Sequence, residues 1–184
     1  MTNNYQLKNF TSQSLASTEQ AWNTDLESAN NVFPWDTWRI IELAKSQDSE
    51  ERLSKGNSGN FVYGIFEGDS SVADAIVMVV LSKTTRMVVK LLDCFVRPSI
   101  SEAAYNKGIE AISKLSKIYI SAIYGVIEIS DRHTMRTVKV YGRSDNLLTI
   151  LATIAQLLNT QVSSFLASIE GRWLVVNKKI RRLK

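Results

Sequence analysis

The side chains with the most versatile chemistry adjoin one another in an apolar stretch near the middle of the chain. Asp93 and Cys94 stand side by side within Arg86–Val96, whose other residues are mostly aliphatic. A carboxylate in such surroundings can accept a proton from a nucleophile, whereas a cysteine attacks only as a thiolate. Arg97 is the basic residue nearest to Cys94, and no helix start precedes it. We therefore interpret Cys94 as a buried packing residue, and Asp93 either as a candidate base or as a carboxylate that is simply hydrogen-bonded or on the rim of the sheet.

A helix start follows this stretch. Pro98 ends the strand-like pattern, and a helical period begins close to Ser101. The first N–H groups of a helix have no partners within it and attract anions. We therefore expect an anion to bind at this junction, next to Ser101.

Other reactive residue types are sparse. Because the chain has a single histidine, His133, a multi-histidine metal site is excluded. His133 lies in a polar connection without a partner at a suitable spacing, so it is not a favoured catalytic base. The four tryptophans are not interleaved with basic residues as single-stranded nucleic acid would require. Trp35 and Asp36 are candidates for the lip of a substrate cleft. Arg143, between a predicted strand and a predicted helix, is a candidate partner for an anionic group.

Length and composition are those of an ordinary globular domain. The 184 residues are 45% hydrophobic and 22% charged, enough to bury a core. The N-terminus lacks a basic segment followed by an apolar one, and the apolar runs at 75–81 and 147–158 are shorter than the roughly 20 residues of a membrane span. With one cysteine and no intrachain disulfide, we expect a cytoplasmic protein in a reducing compartment.

The net charge of +4 is concentrated at the C-terminus. Five positive charges fall within Lys178–Lys184, and subtracting them leaves −1 for residues 1–177. We therefore predict one domain over 1–177 and a basic tail over 178–184. Nucleic acid is not an expected partner except through this tail.

The N-terminal part predicts an edge strand and two helices. Tyr5–Phe10 is the candidate strand. Ser17-Thr18-Glu19-Gln20 has the spacing of a capping box, so a helix is expected to begin there and to bury Trp22. After the break at Phe33-Pro34, Trp38 and Ile41 mark a second, short helix.

Three apolar segments follow, joined by short polar turns: Phe61–Phe66, Val72–Leu81 and Arg86–Val96. Short turns between such segments predict an antiparallel meander. Because both faces of these strands are largely apolar, we expect helices on both sides of the sheet.

The C-terminal half predicts helices and strands in alternation. Large side chains recur at helical intervals and predict one buried stripe, formed by Tyr105, Ile109, Ile112, Leu115, Tyr119 and Ile123. Gly125–Ile129 and Thr137–Tyr141 are predicted strands. Ser144 or Asp145 is expected to cap a helix over Leu147–Leu158. The chain then closes with a predicted hairpin of Phe165–Ile169 and Trp173–Val176.

Two helices, a three-stranded meander, a long helix, a strand, a helix and a hairpin form an order that resembles the GNAT-type N-acetyltransferase superfamily. The resemblance extends over roughly residues 17–177, nearly the whole chain. The fourth strand of that family commonly ends Val-x-Pro, as Val96-Arg97-Pro98 does here. Phe33-Pro34-Trp35 is similar to the substrate-side loop of several members. The resemblance implies an α/β fold with a mixed, mostly antiparallel central sheet and helices on both faces.

The resemblance also implies a ligand site. In the family the fourth and fifth strands splay apart, and the gap admits the pantetheine arm of acetyl-CoA or another acyl-CoA. Asp93 is then the candidate catalytic base, with Glu128 a weaker one, and Trp35 and Asp36 are substrate contacts. A backbone N–H near Val96 would stabilise the oxyanion. The residues expected to bind the cofactor are Phe95, Val96, Arg97, Ser101 and Ala104.

Two family features are replaced in this chain. Where the family has Arg or Gln, then Gly, then Gly or Ala to hold the cofactor pyrophosphate, this chain has Ser101, Ala104 and Asn106. Arg97 or Lys107 is a candidate substitute for the basic residue. The helix over Leu147–Leu158 also lacks the tyrosine that often serves as general acid.

These replacements leave two main hypotheses open. The first is a divergent acyl-CoA-dependent N-acyltransferase that acts on the amine of a small molecule or a protein. The second is a non-catalytic GNAT-fold binding or assembly protein of viral or mobile-element origin, whose apolar helix Leu147–Leu158 would form a homo-oligomer. A nucleic-acid-associated factor that uses the basic tail is a third and weaker hypothesis.

Overall fold

The computed structural model describes residues 4–28, 35–47, 50–85, 87–106, 109–161 and 164–179. Its sheet consists of seven strands: β1 (Tyr5–Asn9), β2 (Ser58–Glu67), β3 (Ala73–Ser82), β4 (Val88–Val96), β5 (Thr137–Tyr141), β6 (Phe165–Glu170) and β7 (Trp173–Lys178). They lie in the order β1-β2-β3-β4-β5-β7-β6, and only the β4–β5 pair is parallel among these strands. The predicted mixed, mostly antiparallel sheet, its meander and its hairpin are confirmed.

Helices cover both faces of the sheet, as predicted: α1 (Ser12–Ser28), α2 (Trp35–Ser46), α3 (Pro98–Tyr105), α4 (Ile109–Arg132) and α5 (Asp145–Gln161). Residues of α1 and α2 pack with Val62 and Ile76 into one hydrophobic core. A larger core on the opposite face joins the sheet to α4 and α5. Of the helices in the described ranges, none is long and apolar enough to cross a membrane.

The first helix begins earlier than its predicted cap. The Thr11 N–H donates to Ser14 Oγ at 2.9 Å, and the Ser14 N–H donates to Thr11 Oγ1 at 3.1 Å. This reciprocal pair caps α1, so Ser17 lies inside the helix and the predicted start there is wrong. Trp22 is buried as expected, and its Nε1 donates to the Ala73 carbonyl at 2.9 Å, which fixes α1 against β3.

The region after Pro98 differs most from its prediction. It forms two helices, and the first residues of the predicted buried stripe are exposed, Tyr105 by 87% and Ile109 by 85%. Gly125–Ile129 is not a strand but continues α4. A Cβ at Gly125 would lie 2.4 Å from Leu7 Cβ, so this glycine permits α4 to pack on β1. Its β-branched neighbours remain helical because the buried stripe continues through Val126 and Ile129.

The C-terminal elements follow the sequence closely. Ser144 caps α5 by accepting the Leu147 N–H at 3.2 Å. Gly171 has a φ of +60° in the turn between β6 and β7, a conformation that glycine adopts without steric cost. Lys178, the first residue of the predicted tail, is the last residue of β7 and forms an ion pair with Asp131. The described residues do not include the tail beyond residue 179, nor Phe33-Pro34, nor Lys107.

Candidate functional site

Strand β4 has two halves. Its first half pairs with β5 through four residue pairs, from Val88 with Thr137 to Leu91 with Val140. Beyond Leu91 the pairing with β5 ends, although β4 stays paired with β3 as far as Val96. Leu92 is an extra residue in the β3–β4 ladder, a bulge that bends the strand. The two parallel strands therefore separate from this point, as the family resemblance implied.

A cavity of about 650 Å³ fills the resulting opening. Trp22 and Leu26 of α1 line it on one face of the sheet, whereas Tyr119 of α4 and Leu151 of α5 line it on the other. The cavity therefore passes through the sheet between β4 and β5. Its size is in the range of small-molecule and cofactor sites, about 300 to 1,000 Å³.

The open edge of β4 presents backbone groups to this cavity. The Arg97 N–H donates to the Asp74 carbonyl of β3 at 2.9 Å. Backbone groups of successive residues alternate in direction, so the N–H groups of Val96 and Cys94 are directed away from β3 and towards the opening. Asp93 Oδ1 accepts the Cys94 N–H at 3.1 Å. The Val96 N–H is thus positioned to donate to a ligand oxygen.

Asp93 lies at the mouth of the cavity with Arg143. Arg143 Nη1 donates to Asp93 Oδ2 at 2.9 Å. The Asp93 side chain is 22% exposed and the Arg143 side chain 59%. The structure thus brings the predicted base together with the arginine that the sequence marked as an anion partner. Because Arg143 is mostly solvated, this ion pair can open at low cost.

The helix start that was expected to bind an anion already holds a carboxylate of the chain. Arg97 donates to Asp25 from Nε at 2.8 Å and from Nη2 at 2.9 Å, and the Ser99 N–H donates to the same carboxylate at 3.2 Å. Helix α3 begins at Pro98, and the Ser101 N–H donates to the Arg97 carbonyl at 3.0 Å. The expectation of free N–H donors at Ser101 is therefore wrong.

The ion pair between Asp25 and Arg97 shifts the pKa values of both side chains. Burial alone would raise the pKa of the Asp25 carboxyl, but the hydrogen bonds from Arg97 and Ser99 outweigh it and hold this pKa below its usual value. The hydrogen bond to Asp25 likewise raises the pKa of the Arg97 guanidinium. Arg97 is committed to Asp25 and its side chain does not line the large cavity.

Cys94 and Tyr119 face the cavity beside Asp93. Burial, assisted by the Asp93 charge, raises the pKa of the Cys94 thiol to about 12, so the thiol is not a nucleophile near neutral pH. Burial, followed by the proximity of Cys94 and Asp93, also raises the pKa of the Tyr119 hydroxyl, which therefore stays protonated. The sequence marked Tyr119 only as part of an apolar stripe, and nothing in its spacing indicated that the charge of Asp93 would act on its hydroxyl.

The remaining predicted residues are divided between the cavity and other places. Phe95, Val96 and the side of α3 that carries Ser101 line the cavity, whereas Ala104 does not. Trp35 and Asp36 lie in the first turn of α2. Glu128 is exposed on α4, close to β1 and not at the cavity.

The fold is GNAT-like, and its strand order and the parting of β4 from β5 carry that assignment. No protein-family profile and no curated protein matches the chain. Among solved structures, it resembles an acetyltransferase of the GNAT family from Staphylococcus aureus at 9% identity and a TM-score of 0.43, over 95% of this chain and 99% of that one.

Two further solved structures are similar over nearly their whole lengths. An acetyltransferase from Streptococcus agalactiae is 8% identical with a TM-score of 0.42, and the match covers 96% of this chain and 99% of that one. A candidate acetyltransferase from Salmonella typhimurium, solved with its cofactor acetyl-CoA, is 15% identical with a TM-score of 0.38, over 98% of this chain and 97% of that one.

Proposed function

We propose that this protein is an acyl-CoA-dependent N-acyltransferase that transfers an acyl group from a thioester to the amine of a small molecule or a protein. The observation that supports the proposal most strongly is the cavity between β4 and β5. It runs through the sheet, is lined by an open strand edge, and carries a carboxylate at its mouth.

The shape of this cavity suits two substrates that meet. An extended arm with amide groups can add to the open edge of β4 much as another strand would, because the β4 backbone beyond Leu91 has no β5 partner. The amine can approach from the face covered by α1, where Trp22 and Leu26 form the wall. Substrates held in this way react as if within one molecule.

The chain supplies groups for each part of the transfer. The amine nitrogen forms a bond to the thioester carbon, and the Val96 N–H stabilises the charge that develops on the carbonyl oxygen. Asp93 accepts the amine proton after the incoming amine displaces Arg143. The carbon–sulfur bond breaks, and the neutral Tyr119 hydroxyl donates a hydrogen bond to the departing sulfur, which takes its proton from solvent. No covalent intermediate with Cys94 is needed.

The remaining predicted contacts become part of this proposal. Phe95 and Ser101 contact the arm from the two sides of the β4–α3 junction, whereas Arg97 acts by holding Asp25. Ala104, Trp35 and Asp36 stay predicted contacts to the cofactor and the amine.

Turnover with acetyl-CoA tests the proposal. The protein is incubated with millimolar acetyl-CoA and a panel of diamines, amino acids and lysine peptides, and the released thiol and the acylated product are both measured. We expect amine-dependent thiol release together with a rise in melting temperature on addition of acetyl-CoA. If millimolar acetyl-CoA causes no melting shift and no thiol release, the enzyme is ruled out and the non-catalytic alternative is favoured.

A further inference from the structure

The face of the sheet that carries α1 and α2 also carries two neighbouring lysines. Lys90 of β4 pairs with Lys139 of β5, where the two strands still lie side by side. The residues before and after each lysine along its strand belong to the larger core on the opposite face. Because successive side chains of a strand alternate between faces, both lysines are directed to the face of α1 and α2.

The charges of this lysine pair are not balanced within the described part of the chain. Among the described residues, no carboxylate forms an ion pair with either ammonium group. The next residues across the sheet are apolar, Val80 beside Lys90 and Val175 beside Lys139. Both lysines are half-buried, and like charges side by side on adjacent strands repel each other. A bound anion removes this repulsion, and a phosphate monoester, with a charge of about −2 near neutral pH, matches two lysines.

The lysine pair shares its face with the proposed base. Asp93 pairs with Met78 of β3, and Lys90 pairs with Val80, two residues further along the same strand. Residues two apart in a strand lie on one face, so the bulge in β4 brings Asp93 to the face of Lys90. Two residues of a strand span about 7 Å. An amine at Asp93 therefore lies within reach of an anion held by the flexible lysine side chains.

The surface between the cavity and the lysines is accessible from the side of the amine. On this face α1 packs on β3 and α2 packs on β2, and the described parts of these helices make no comparable contact with β5. Tyr141 follows Lys139 by two residues on the same face and lines the cavity. Its ring packs against that of Trp173, with 5.0 Å between the centroids. A ligand can thus extend from the cavity past Tyr141 to the lysines without displacing a helix.

We infer that the amine acceptor carries a phosphate monoester, which binds between Lys90 and Lys139 while the amine lies at Asp93. The inference rests on the proposed function and specifies its acceptor. The lysines bind and orient this substrate, and they take no part in the proton transfer.

A series of aminoalkyl phosphates tests the inference on the unmodified protein. Acylation of 2-aminoethyl, 3-aminopropyl and 4-aminobutyl phosphate is compared with that of the matching amino alcohols, at constant ionic strength and with acetyl-CoA as the donor. We expect at least one phosphate to exceed its alcohol in kcat/KM by about tenfold or more, through a lower KM. If the alcohols are acylated as well as every phosphate, the inference is overturned but the proposed function stands. If no amine of either kind is acylated, the proposed function fails and the inference fails with it.

Lys90→Gln and Lys139→Gln locate the phosphate. Either change should raise the KM of the preferred phosphate about fivefold to tenfold, leave its kcat unchanged and leave the matching alcohol unaffected. Lys8→Gln removes an exposed lysine from β1, at the far edge of the sheet. It is the matched control and should keep the wild-type KM.

Two results with these variants would overturn the inference. An unchanged KM in both folded variants would show that the phosphate binds elsewhere. A weaker affinity for CoA, measured by titration calorimetry, would assign the lysines to the donor instead of the acceptor. Thermal unfolding shows whether the variants fold; if neither does, the series on the unmodified protein still decides the inference.

Discussion

Two aspartate–arginine pairs flank the same strand–helix junction and differ in what they do. Asp25 and Arg97 share two hydrogen bonds, and their side chains are 11% and 27% exposed. Arg143 Nη1 donates to Asp93 Oδ2 at 2.9 Å, and the Arg143 side chain is mostly in solvent. The first pair joins α1 to the start of α3 and fills the place of an anion. The second lies at the mouth of the cavity, where we propose that the substrate amine displaces Arg143.

The difference shows how the same two residue types divide between structure and chemistry. A bidentate pair with a third donor, Ser99, is fixed and specific in geometry. A largely solvated ion pair, such as that of Arg143 with Asp93, adds little to stability. Asp25 is therefore a structural residue that holds the α1 wall of the cavity, and Asp93 is the residue that we propose for proton transfer.

Asp93→Asn should have the largest effect, and on turnover rather than on folding. Without a carboxylate to accept the amine proton, we expect kcat to fall by about a hundredfold to ten-thousandfold. The free energy of unfolding should change by less than about 1 kcal/mol. Thiol-release kinetics and urea unfolding measure the two quantities. Asp131→Asn, at an exposed ion pair on α4, is the control and should leave kcat unchanged. A wild-type kcat for Asp93→Asn would remove Asp93 from the mechanism.

Asp25→Asn should have its main effect on folding rather than on turnover. It removes two charge-assisted hydrogen bonds from Arg97 and weakens that from Ser99, so the free energy of unfolding should fall by about 2 kcal/mol. Urea unfolding beside Asp131→Asn checks this value. A loss no larger than that of the control would show that the pair is not structural, and the comparison between the two aspartates would fail.

Acid should abolish the contribution of the Asp25 carboxylate to the free energy of unfolding. The pKa of this carboxyl is lowered in the folded protein from its usual value of 3.8, so the contribution is complete above about pH 5. It is lost as the pH falls through the folded-state pKa. The difference in unfolding free energy between the wild type and Asp25→Asn should therefore be constant from neutrality to about pH 5 and shrink in stronger acid. A difference that persists unchanged at pH 2 would contradict this assignment.

Strand and helix order was predictable from local patterns, with one informative exception. The meander and the closing hairpin follow from apolar segments and turn residues that act over a few positions. Gly125–Ile129 failed as a strand because its glycine permits a close contact with Leu7, far away in the sequence, and its β-branched residues continue the buried stripe of α4. Local preference cannot reveal such a contact.

The candidate site was predictable only where backbone position decides it. Asp93, Phe95 and Val96 were placed by their strand, and the structure puts all three at the cavity. Ser101 and Arg97 were expected to meet an anion from outside. Asp25 takes that role from another helix, and no pattern around Arg97 indicates so distant a partner. The proximity of the Tyr119 hydroxyl to Asp93 could not be predicted for the same reason.

Hydrogen–deuterium exchange with and without acetyl-CoA is the most direct test of the claim that the opening between β4 and β5 holds the acyl donor. The account predicts that saturating acetyl-CoA slows exchange in a peptide covering 92–97, above all at the Val96 amide. Peptides from the β6–β7 hairpin should exchange as before. Binding that leaves residues 92–97 unprotected, or protects only another part of the chain, would contradict the account.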